Sequence, residues 1–256
     1  MSTRFKKWIY NLLCNRITGS IILSLFEKGV PDLRWPGFRF VIPRTFVNKQ
    51  IAASVFWGFY ESAEVRFIEK YLQKNLAVIE LGSSLGIVSS HIVSKLEPGS
   101  PFLTVEANPY LIETIERNIG RKKPTQNKIE VLNNAIGYGR ENVSIAITGN
   151  NTETRVIQEG HATAGTVSVK TLSLADLVRK IGQHEYALVS DIEGSELEWL
   201  LHEDQSLVPC RQLFIELHDT NFQGKYYTID MVKEIIINKH GFSVADEHGP
   251  VVYFSK

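Results

Sequence analysis

Three things are scarce in this sequence: cysteine, net charge and long apolar runs. Only Cys14 and Cys210 occur among 256 residues, which excludes a disulfide framework and offers no metal-ligand spacing, so we expect a reducing, cytoplasmic location. The 28 basic residues balance the 28 acidic residues, so no overall charge favours nucleic acid as a partner. Repeats and low-complexity runs are also absent, and the composition is that of an ordinary globular protein.

The first part of the chain contains an apolar stretch, from Trp8 to Phe26, that follows three basic residues. Asn11, Asn15 and Arg16 interrupt it, and about 18 uninterrupted apolar residues are needed to span a bilayer, so we expect no transmembrane segment. The pattern predicts one or two short amphipathic helices. We expect their apolar sides to pack against the rest of the chain or a second subunit of a homo-oligomer, with peripheral contact to a membrane surface as the alternative. A Pro-Gly turn within residues 32–48 predicts a small hairpin.

Beyond this extension, helical and strand-like patterns alternate, which is typical of a parallel sheet covered by helices. The first half predicts helices over residues 61–72, 85–96 and 109–119, and strands over 76–82, 101–106 and 128–136. Residues 137–166 interrupt the alternation as an insertion, with a short strand over 142–148. The second half predicts strands over 167–170, 186–191, 212–217, 242–245 and 251–254, and helices over 174–181, from Glu193 and over 231–239.

The last two predicted strands are separated only by a tight turn, so they must pair antiparallel. The sequence therefore predicts an α/β fold with a mostly parallel sheet, a C-terminal antiparallel strand and helices on both faces. We expect two regions: an N-terminal extension over residues 1–54 and the α/β domain over residues 55–256.

The first predicted strand of the domain ends in a turn rich in small residues, Glu80 to Gly86. Gly82 and Gly86 permit a tight turn and close approach of the backbone to a ligand. Glu106 ends the next strand, where a carboxylate can accept hydrogen bonds from ribose hydroxyls. Ser83-Ser84 stands where a pyrophosphate-binding loop would place its second glycine, and Glu80 would repel phosphate. A cationic sulfonium cofactor therefore fits this turn better than a dinucleotide does.

Polar residues also end the later strands. Residues 133–135 close the third strand beside the same crevice, where they can offer amide or backbone groups to an adenine ring, although asparagine is also a common turn residue. Asp191, Glu193, Glu216, His218 and Asp219 converge at the crevice if both later strands are parallel to the first.

His218 has the near-neutral pKa of a general base, and Asp191 can orient the acceptor or a cofactor amine. The alternatives are a hydrogen-bonded strand-end histidine and, for Glu193, an acid placed favourably in the first turn of a helix. The oxygen ligands also suit a divalent metal such as magnesium, and the spacing leaves that question open.

These segments together resemble the FkbM-type family of S-adenosylmethionine-dependent methyltransferases over residues 55–255. The carriers are Phe56-Trp57-Gly58-Phe59-Tyr60-Glu61, Ile79-Glu80-Leu81-Gly82-Ser83-Ser84-Leu85-Gly86, Val105-Glu106-Ala107-Asn108-Pro109, Asn134-Ala135-Ile136-Gly137, Asp191-Ile192-Glu193-Gly194-Ser195-Glu196 and Phe214-Ile215-Glu216-Leu217-His218. The resemblance implies a class I (Rossmann-like) methyltransferase fold with a seven-stranded sheet, S-adenosylmethionine as cofactor, and O-methylation of a hydroxyl group, commonly of a sugar in a glycan, polysaccharide or glycosylated natural product. This sequence departs from the usual pattern at Glu80, where aspartate is commoner, and at Ser83-Ser84, where Ala-Asn is frequent.

The resemblance also implies that Tyr60 and Glu61 lie beside the cofactor pocket. With the motifs above, it predicts a cofactor site formed by Tyr60, Glu61, Glu80, Gly82, Ser83, Ser84, Gly86, Glu106, Ala107, Asn108, Asn134, Ala135 and Asp191, and a catalytic set of His218, Asp191 and Glu193. We expect a small-molecule or glycan acceptor, bound with help from residues 137–166 and the N-terminal hairpin. A nucleotide-binding α/β oxidoreductase and a noncatalytic protein of the same fold are the alternatives.

Overall fold

The computed structural model describes residues 3–44, 47–121, 128–147, 154–157, 166–182 and 185–256. The described residues divide into two compact units, one up to Ser62 and the other from Ala63. The boundary that the sequence places after Ser54 falls within a helix, Lys49–Phe56.

The first unit consists of short helices and a two-stranded ladder. Its elements are α1 (Thr3–Leu13), α2 (Arg16–Leu25), β1 (Val30–Pro31), β2 (Arg39–Phe40) and α3 (Lys49–Phe56). Asn15 begins α2, because its side chain accepts hydrogen bonds from the N–H groups of Ile17 and Thr18. The two predicted N-terminal helices and the predicted hairpin are confirmed, although the ladder begins at Val30.

The second unit holds the remaining elements, and α4 begins at the boundary. They are α4 (Ser62–Tyr71), β3 (Ala77–Leu81), α5 (Ile87–Lys95), β4 (Phe102–Val105), α6 (Ile112–Gly120), β5 (Ile129–Leu132), β6 (Ala135–Ile136), β7 (Asn142–Ile147), β8 (Thr154–Ile157), β9 (Thr166–Leu172), α7 (Leu174–Ile181), β10 (Tyr186–Ser190), α8 (Glu196–His202), β11 (Cys210–Glu216), β12 (Thr220–Phe222), β13 (Lys225–Tyr227), α9 (Ile229–Asn238), β14 (Ser243–His248) and β15 (Val251–Ser255).

A seven-stranded sheet forms the centre of this unit, in the order β14-β15-β11-β10-β3-β4-β5. The strands from β11 to β5 are parallel, and β15 runs antiparallel to both of its neighbours. The predicted fold class is therefore confirmed. The chain passes from β3 to β4 on one side, whereas β10 pairs with the other side of β3. This reversal opens a crevice at the carboxyl ends of β3 and β10, which is where ligands bind in open α/β sheets.

Alternation of side chains along the strands gives the sheet two apolar faces. Ile79 and Leu81 of β3 join a core cluster with residues of α7, α8 and α9, including the fully buried Trp199. On the opposite face, Tyr71 of α4 stacks on Tyr253 of β15 at 4.6 Å between ring centroids. Helices α4 to α6 cover this second face, so the sheet is buried on both sides.

The described part of the predicted insertion contains more strand than the sequence suggested. The predicted strand over 128–136 divides into β5 and β6, because the chain leaves the large sheet at Asn133-Asn134 and enters a four-stranded sheet in the order β6-β9-β7-β8. Ala135, Val143, Ile145 and Val169 form its small core. His161 and His184 lie outside the described residues.

Candidate active site

The turn after β3 requires glycine because the backbone of another strand end lies against it. Gly82 has φ of 82°, and a Cβ built on it would lie 1.9 Å from the carbonyl oxygen of Asp191. Gly86 adopts the left-handed conformation, with φ of 71°, at the start of α5. The turn is thus held against the end of β10, at the point where the sheet order reverses.

Glu106 joins this turn to the one after β4. Its two carboxylate oxygens accept hydrogen bonds from the N–H groups of Ser84 and Asn108, each at 2.8 Å. Burial raises its pKa, and the N–H groups of these two turns oppose that effect, including those of Ser83 and Ala107. The binding of ribose hydroxyls by this carboxylate stays a prediction.

Glu80 is buried beneath the turn and does not lie at the mouth of the crevice, so its contact with the cofactor stays a prediction. Its side chain is buried between β3, β4 and α5, where Oε2 accepts hydrogen bonds from Ser89 Oγ and Thr104 Oγ1, both at 2.6 Å. Burial raises its pKa to about 7, although both hydroxyl hydrogen bonds lower it. Glu80 therefore fixes the strand beneath the turn.

The residues after the third strand are partly engaged by the protein itself. Asn133 Nδ2 donates to the carbonyl oxygens of Glu106 and Ala107, and Asn134 Nδ2 donates to that of Lys170 at 3.2 Å. The side chain of Ala135 packs in the core of the small sheet. Contacts to an adenine ring would consequently come from the backbone here more than from the amide N–H groups.

The acidic residues after β10 and β11 do converge, as the strand directions predict. Asp191, Glu193 and His218 each place one ligating atom within 4.8 Å of the other two. His218 Nδ1 lies 2.8 Å from Glu196 Oε1, and Nε2 lies 3.8 Å from Glu193 Oε2. The helix predicted from Glu193 begins only at Glu196, because Glu193 and Gly194 have φ of 52° and 92° and form a turn. Glu193 is therefore not a first-turn helix residue.

Negative charge dominates this cluster. Burial raises the pKa of Asp191 well above its usual range, and the charges of Glu216, Glu193 and Glu64 add to the shift. Burial also raises the pKa of Glu64 to about 7, and its hydrogen bond with Glu216 contributes. Glu64 comes from α4, and the sequence did not assign it to the site.

His218 is more basic than the sequence suggested. Burial lowers its pKa, but the hydrogen bond to Glu196 and the charges of Glu196, Asp191 and Glu193 outweigh burial and raise the pKa to about 9. The pKa of His218 is therefore higher than the near-neutral value that the sequence suggested. Asp219, also a candidate, is exposed and accepts a hydrogen bond from the N–H of Ile229 at 2.8 Å.

Three buried polar atoms at the carboxyl ends of β3 and β10 have no hydrogen-bond partner within the described part of the chain. They are Ser83 Oγ, Ser190 Oγ and Asp191 Oδ1. A buried polar atom without a partner costs about 1–3 kcal/mol. Their position at the reversal of the sheet indicates that a polar ligand completes this site.

A pocket of about 570 Å³ opens beside the cluster. It is lined by Tyr138, Arg140, Glu193, Gly194, Ser195, Glu198, His202, His218, Asp219, Thr220, Asn221, Phe222 and Gln223. The rings of Tyr138 and His202 stack at 4.7 Å with an angle of 9° between their planes, and the hydroxyl of Tyr138 accepts the N–H of Leu174. The sequence did not single out this pair, because residues 64 positions apart in the chain meet only in the fold.

Other predicted residues lie away from this geometry. Tyr60 and Glu61 belong to the first unit, so their place beside the cofactor stays a prediction. His91 is buried and hydrogen-bonded to Glu69, and His240 is buried and hydrogen-bonded to the carbonyl oxygen of Leu200. Cys14 and Cys210 are buried free thiols.

The sheet order, the single antiparallel strand β15 and the crevice at the reversal define a class I methyltransferase fold. The sequence model described as "Methyltransferase FkbM domain" matches residues 86–244, more than half of the chain. The chain therefore belongs to the FkbM methyltransferase family.

Comparison with solved structures gives distant similarities, and no curated protein matches the chain. A ribosomal protein L11 methylase from Lactobacillus delbrueckii subsp. bulgaricus is 14% identical, with a TM-score of 0.43 over 75% of this chain and 74% of that one. A precorrin-6y C5,15-methyltransferase from Geobacter metallireducens GS-15 is 15% identical, with a TM-score of 0.40 over 85% and 93%. A magnesium protoporphyrin IX methyltransferase from Synechocystis PCC 6803, solved with bound SAH, is 10% identical, with a TM-score of 0.42 over 75% and 79%.

Proposed function

We propose that this protein transfers the methyl group of S-adenosylmethionine to a hydroxyl group of a sugar, in a glycan, a polysaccharide or a glycosylated natural product. The observation that carries the proposal is the position of the polar pocket. It opens on Glu193 and His218, directly beside the half-buried carboxylate of Asp191 at the sheet reversal. The two buried thiols suit a reducing cytoplasm, which we propose as the location.

The residues at the crevice fit S-adenosylmethionine better than a dinucleotide. Glu106 offers its carboxylate for the ribose hydroxyls, and the turn at Gly82 permits close approach of the backbone. Asp191 Oδ1 is buried without a partner, and a cation beside it would lower the pKa of this carboxyl and restore its charge. The sulfonium and ammonium groups of S-adenosylmethionine are such cations, whereas a pyrophosphate would be repelled.

In O-methylation, the acceptor oxygen bonds to the methyl carbon while the carbon–sulfur bond breaks, its electron pair goes to sulfur, and the hydroxyl proton must leave. His218 and Glu193 line the pocket and are the groups that take this proton. A cation bound at Asp191 opposes the imidazolium and lowers the pKa of His218 from about 9 toward neutrality. His218 Nε2 then becomes a proton acceptor, while Glu196 holds Nδ1.

The pocket wall supports a sugar acceptor. The stacked pair of Tyr138 and His202 offers an aromatic surface beside charged and amide side chains. Sugars present apolar C–H faces together with several hydroxyls, so they match a wall that combines an aromatic ring with hydrogen-bonding groups such as Arg140, Glu198 and Asn221.

A divalent cation is a second candidate for the charge at Asp191. Asp191, Glu193 and His218 would hold it, and the ion would acidify a bound hydroxyl. The cofactor cation already accounts for the unpartnered carboxylate, so we propose it as the partner of Asp191. Metal dependence is tested in the transfer assay below.

The cofactor assignment is tested by calorimetry of S-adenosylmethionine and NAD binding. We expect the wild type to bind S-adenosylmethionine and not NAD, and Asp191→Asn to weaken binding about tenfold or more, a loss of about 1.4 kcal/mol. Asp204→Asn is the matched control, because Asp204 is exposed and pairs with Lys239 outside the site. Binding of NAD alone would support the oxidoreductase alternative, and binding of neither would support a noncatalytic protein.

The acceptor assignment is tested with methyl-labelled S-adenosylmethionine and a panel of mono- and oligosaccharides, with protein and RNA substrates for comparison, each with and without EDTA and added Mg²⁺. We expect label to enter a saccharide, with transfer retained in EDTA. Label found only in protein or RNA substrates would exclude the sugar assignment, and transfer lost in EDTA and restored by Mg²⁺ would assign the cluster to a metal.

A further inference from the structure

Helix α2 of the first unit has two rows of apolar residues, and only one of these rows is buried in the fold. Gly19, Ile22 and Leu23 are buried, and a Cβ on Gly19 would lie 1.8 Å from the carbonyl oxygen of Lys49 at the start of α3. The inner row therefore packs closely on α3. The outer row consists of Ile17, Ile21 and Leu25, one turn apart, which are 75%, 55% and 70% exposed.

Helix α1 continues this pattern. Trp8 and Leu12 lie one turn apart and are 59% and 57% exposed. Among the described residues, thirteen large hydrophobic side chains are exposed, and seven of them fall within residues 8–33 of the 256-residue chain. Such a concentration marks an interaction surface, since exposed apolar side chains are usually scattered. The outer face is defined here as Trp8, Leu12, Ile17, Ile21 and Leu25.

The charge of the segment that carries the outer face is strongly positive. Residues 1–54 contain nine Lys and Arg residues against two Asp and Glu residues, a net charge of +7, so the remaining residues carry −7. Arg16 at the start of α2 and Lys28 just after its end are both exposed. The overall neutrality of the chain therefore conceals a basic, apolar N-terminal segment.

The net charge of +7 distinguishes between two binding partners for the outer face, a second copy of this chain and a lipid surface. A symmetric contact with a second copy would bring two segments of +7 together, and their repulsion would oppose it. An anionic lipid surface attracts the same charge and accepts the apolar side chains, with Trp8 suited to the interface. Within the described ranges, every helix is too short or too polar to cross a bilayer, so the helices would lie on its surface.

We propose that the outer face of α1 and α2 binds the surface of an anionic lipid bilayer, and that the surrounding basic residues strengthen this binding. The proposal is independent of the reaction at the crevice. It assigns the N-terminal extension to a membrane surface, which from the sequence was the alternative to packing against the chain or a second subunit.

The test is flotation of the full-length protein with vesicles of phosphatidylcholine alone or mixed with phosphatidylglycerol, at low and high salt. We expect co-flotation with the mixed vesicles, much less with phosphatidylcholine, and release at high salt because screening weakens the attraction. The triple variant Ile17→Ser, Ile21→Ser, Leu25→Ser should lose most of the bound fraction. These side chains are exposed, so the inner packing of α2 is retained, and circular dichroism checks this.

The matched control is Val208→Ser, Ile237→Ser, Val244→Ser, which removes three exposed apolar side chains from the second unit and should float like the wild type. Arg16→Glu with Lys28→Glu should reduce binding to the mixed vesicles while leaving the apolar row intact. The proposal is overturned if the wild type does not float with the mixed vesicles, or if the outer-row variant floats as well as the wild type. Light scattering that shows a wild-type dimer, a monomeric triple variant and no vesicle binding would instead assign the face to a second copy.

Discussion

Glu196 is the residue that sets the protonation of His218. Its side chain is only 2% exposed, and Oε1 lies 2.8 Å from His218 Nδ1. A carboxylate in that position stabilises the imidazolium and fixes the ring so that Nε2 faces the pocket. Glu196 acts through His218, so it is a positioning residue.

We expect Glu196→Gln to lower the pKa of His218 by about one unit or more, because the amide keeps a hydrogen-bonding group but removes the negative charge. Titration of the histidine ring signals by NMR measures this, with the signal of His218 assigned from its loss in His218→Asn. The exposed ring of His248 is an internal reference. An unchanged titration of His218 in Glu196→Gln would contradict the role given to Glu196.

The sequence predicted the site residues that follow the strand ends, but it did not predict the helical residues that interact with them. Asp191, Glu193 and His218 could be predicted to meet, since parallel strands bring their carboxyl ends together. Glu64 and Glu196 lie on helices, so only the packed structure shows that they approach these residues. The burial of the Glu80 side chain could not be predicted from the sequence either, because a strand pattern does not show on which face of the sheet a ligand binds.

Among the elements, the turn between β3 and α5 is the most constrained. Gly82 has a positive φ. In addition, a Cβ built on it would lie 1.9 Å from the carbonyl oxygen of Asp191, at the end of the neighbouring strand β10. Two separate costs would therefore follow from a side chain there: backbone strain and a clash that pushes the ends of β3 and β10 apart.

Gly99 allows the two costs to be separated. Its φ is 95°, yet nothing lies within 4 Å of a Cβ built there. We expect Gly99→Ala to lower the free energy of unfolding by about 1 kcal/mol from backbone strain alone, and Gly82→Ala by roughly 3 kcal/mol or more. Urea denaturation measures both. Equal losses in the two variants would show that the close approach to Asp191 is not what selects glycine at this turn.

The elements that the sequence predicted well are those with a strong local pattern. The buried runs of β3, β4 and β10 and the capped helix α7 lie within one or two residues of their predicted bounds. The division between β5 and β6 depends on tertiary pairing, as does β8. The hairpin of β12 and β13 was missed because its strands are short and half exposed, although Gln223-Gly224 marks its turn.

For the whole molecule, the order of the elements was enough to predict the sheet, since alternating strands and helices followed by a tight hairpin leave few topologies. The uneven charge was not recognised, because total charge hides a basic extension and an acidic remainder. The acidic remainder also places several carboxyls in or beside the core. Their shifted pKa values give the ligand-free protein an unusual dependence on pH.

Five titratable side chains of the second unit have pKa values that are shifted in the same direction. Glu64, Glu80, Glu106, Asp191 and His218 all have folded-state pKa values above their usual ones. Such a group contributes stability that is fully present below its unfolded pKa and is lost as the pH rises through its folded pKa. For Glu80 the window runs from 4.5 to about 7. For His218 it runs from 6.5 to about 9.

Other described groups oppose this trend. Burial lowers the pKa of His240, so the stability that His240 contributes grows as the pH rises toward 6.5 and is fully present above it. The carboxyls with lowered pKa values, such as Asp176 and Asp204, are largely exposed, and exposed ion pairs contribute little. The raised pKa of Glu80 alone lowers the free energy of unfolding by roughly 3 kcal/mol between pH 4.5 and about 7, because one pKa unit corresponds to about 1.4 kcal/mol.

We therefore expect the free energy of unfolding of the ligand-free protein to fall as the pH rises from 4.5 to about 9, measured by urea denaturation across this range. Glu80→Gln should flatten the part of the profile between 4.5 and about 7, because the amide does not ionise. Saturating S-adenosylmethionine should stabilise the protein more at high pH than at low pH, since its cations favour the ionised Asp191. A profile that rises with pH would show that these carboxyls are not buried as described, and an unchanged profile in Glu80→Gln would remove Glu80 from the cause.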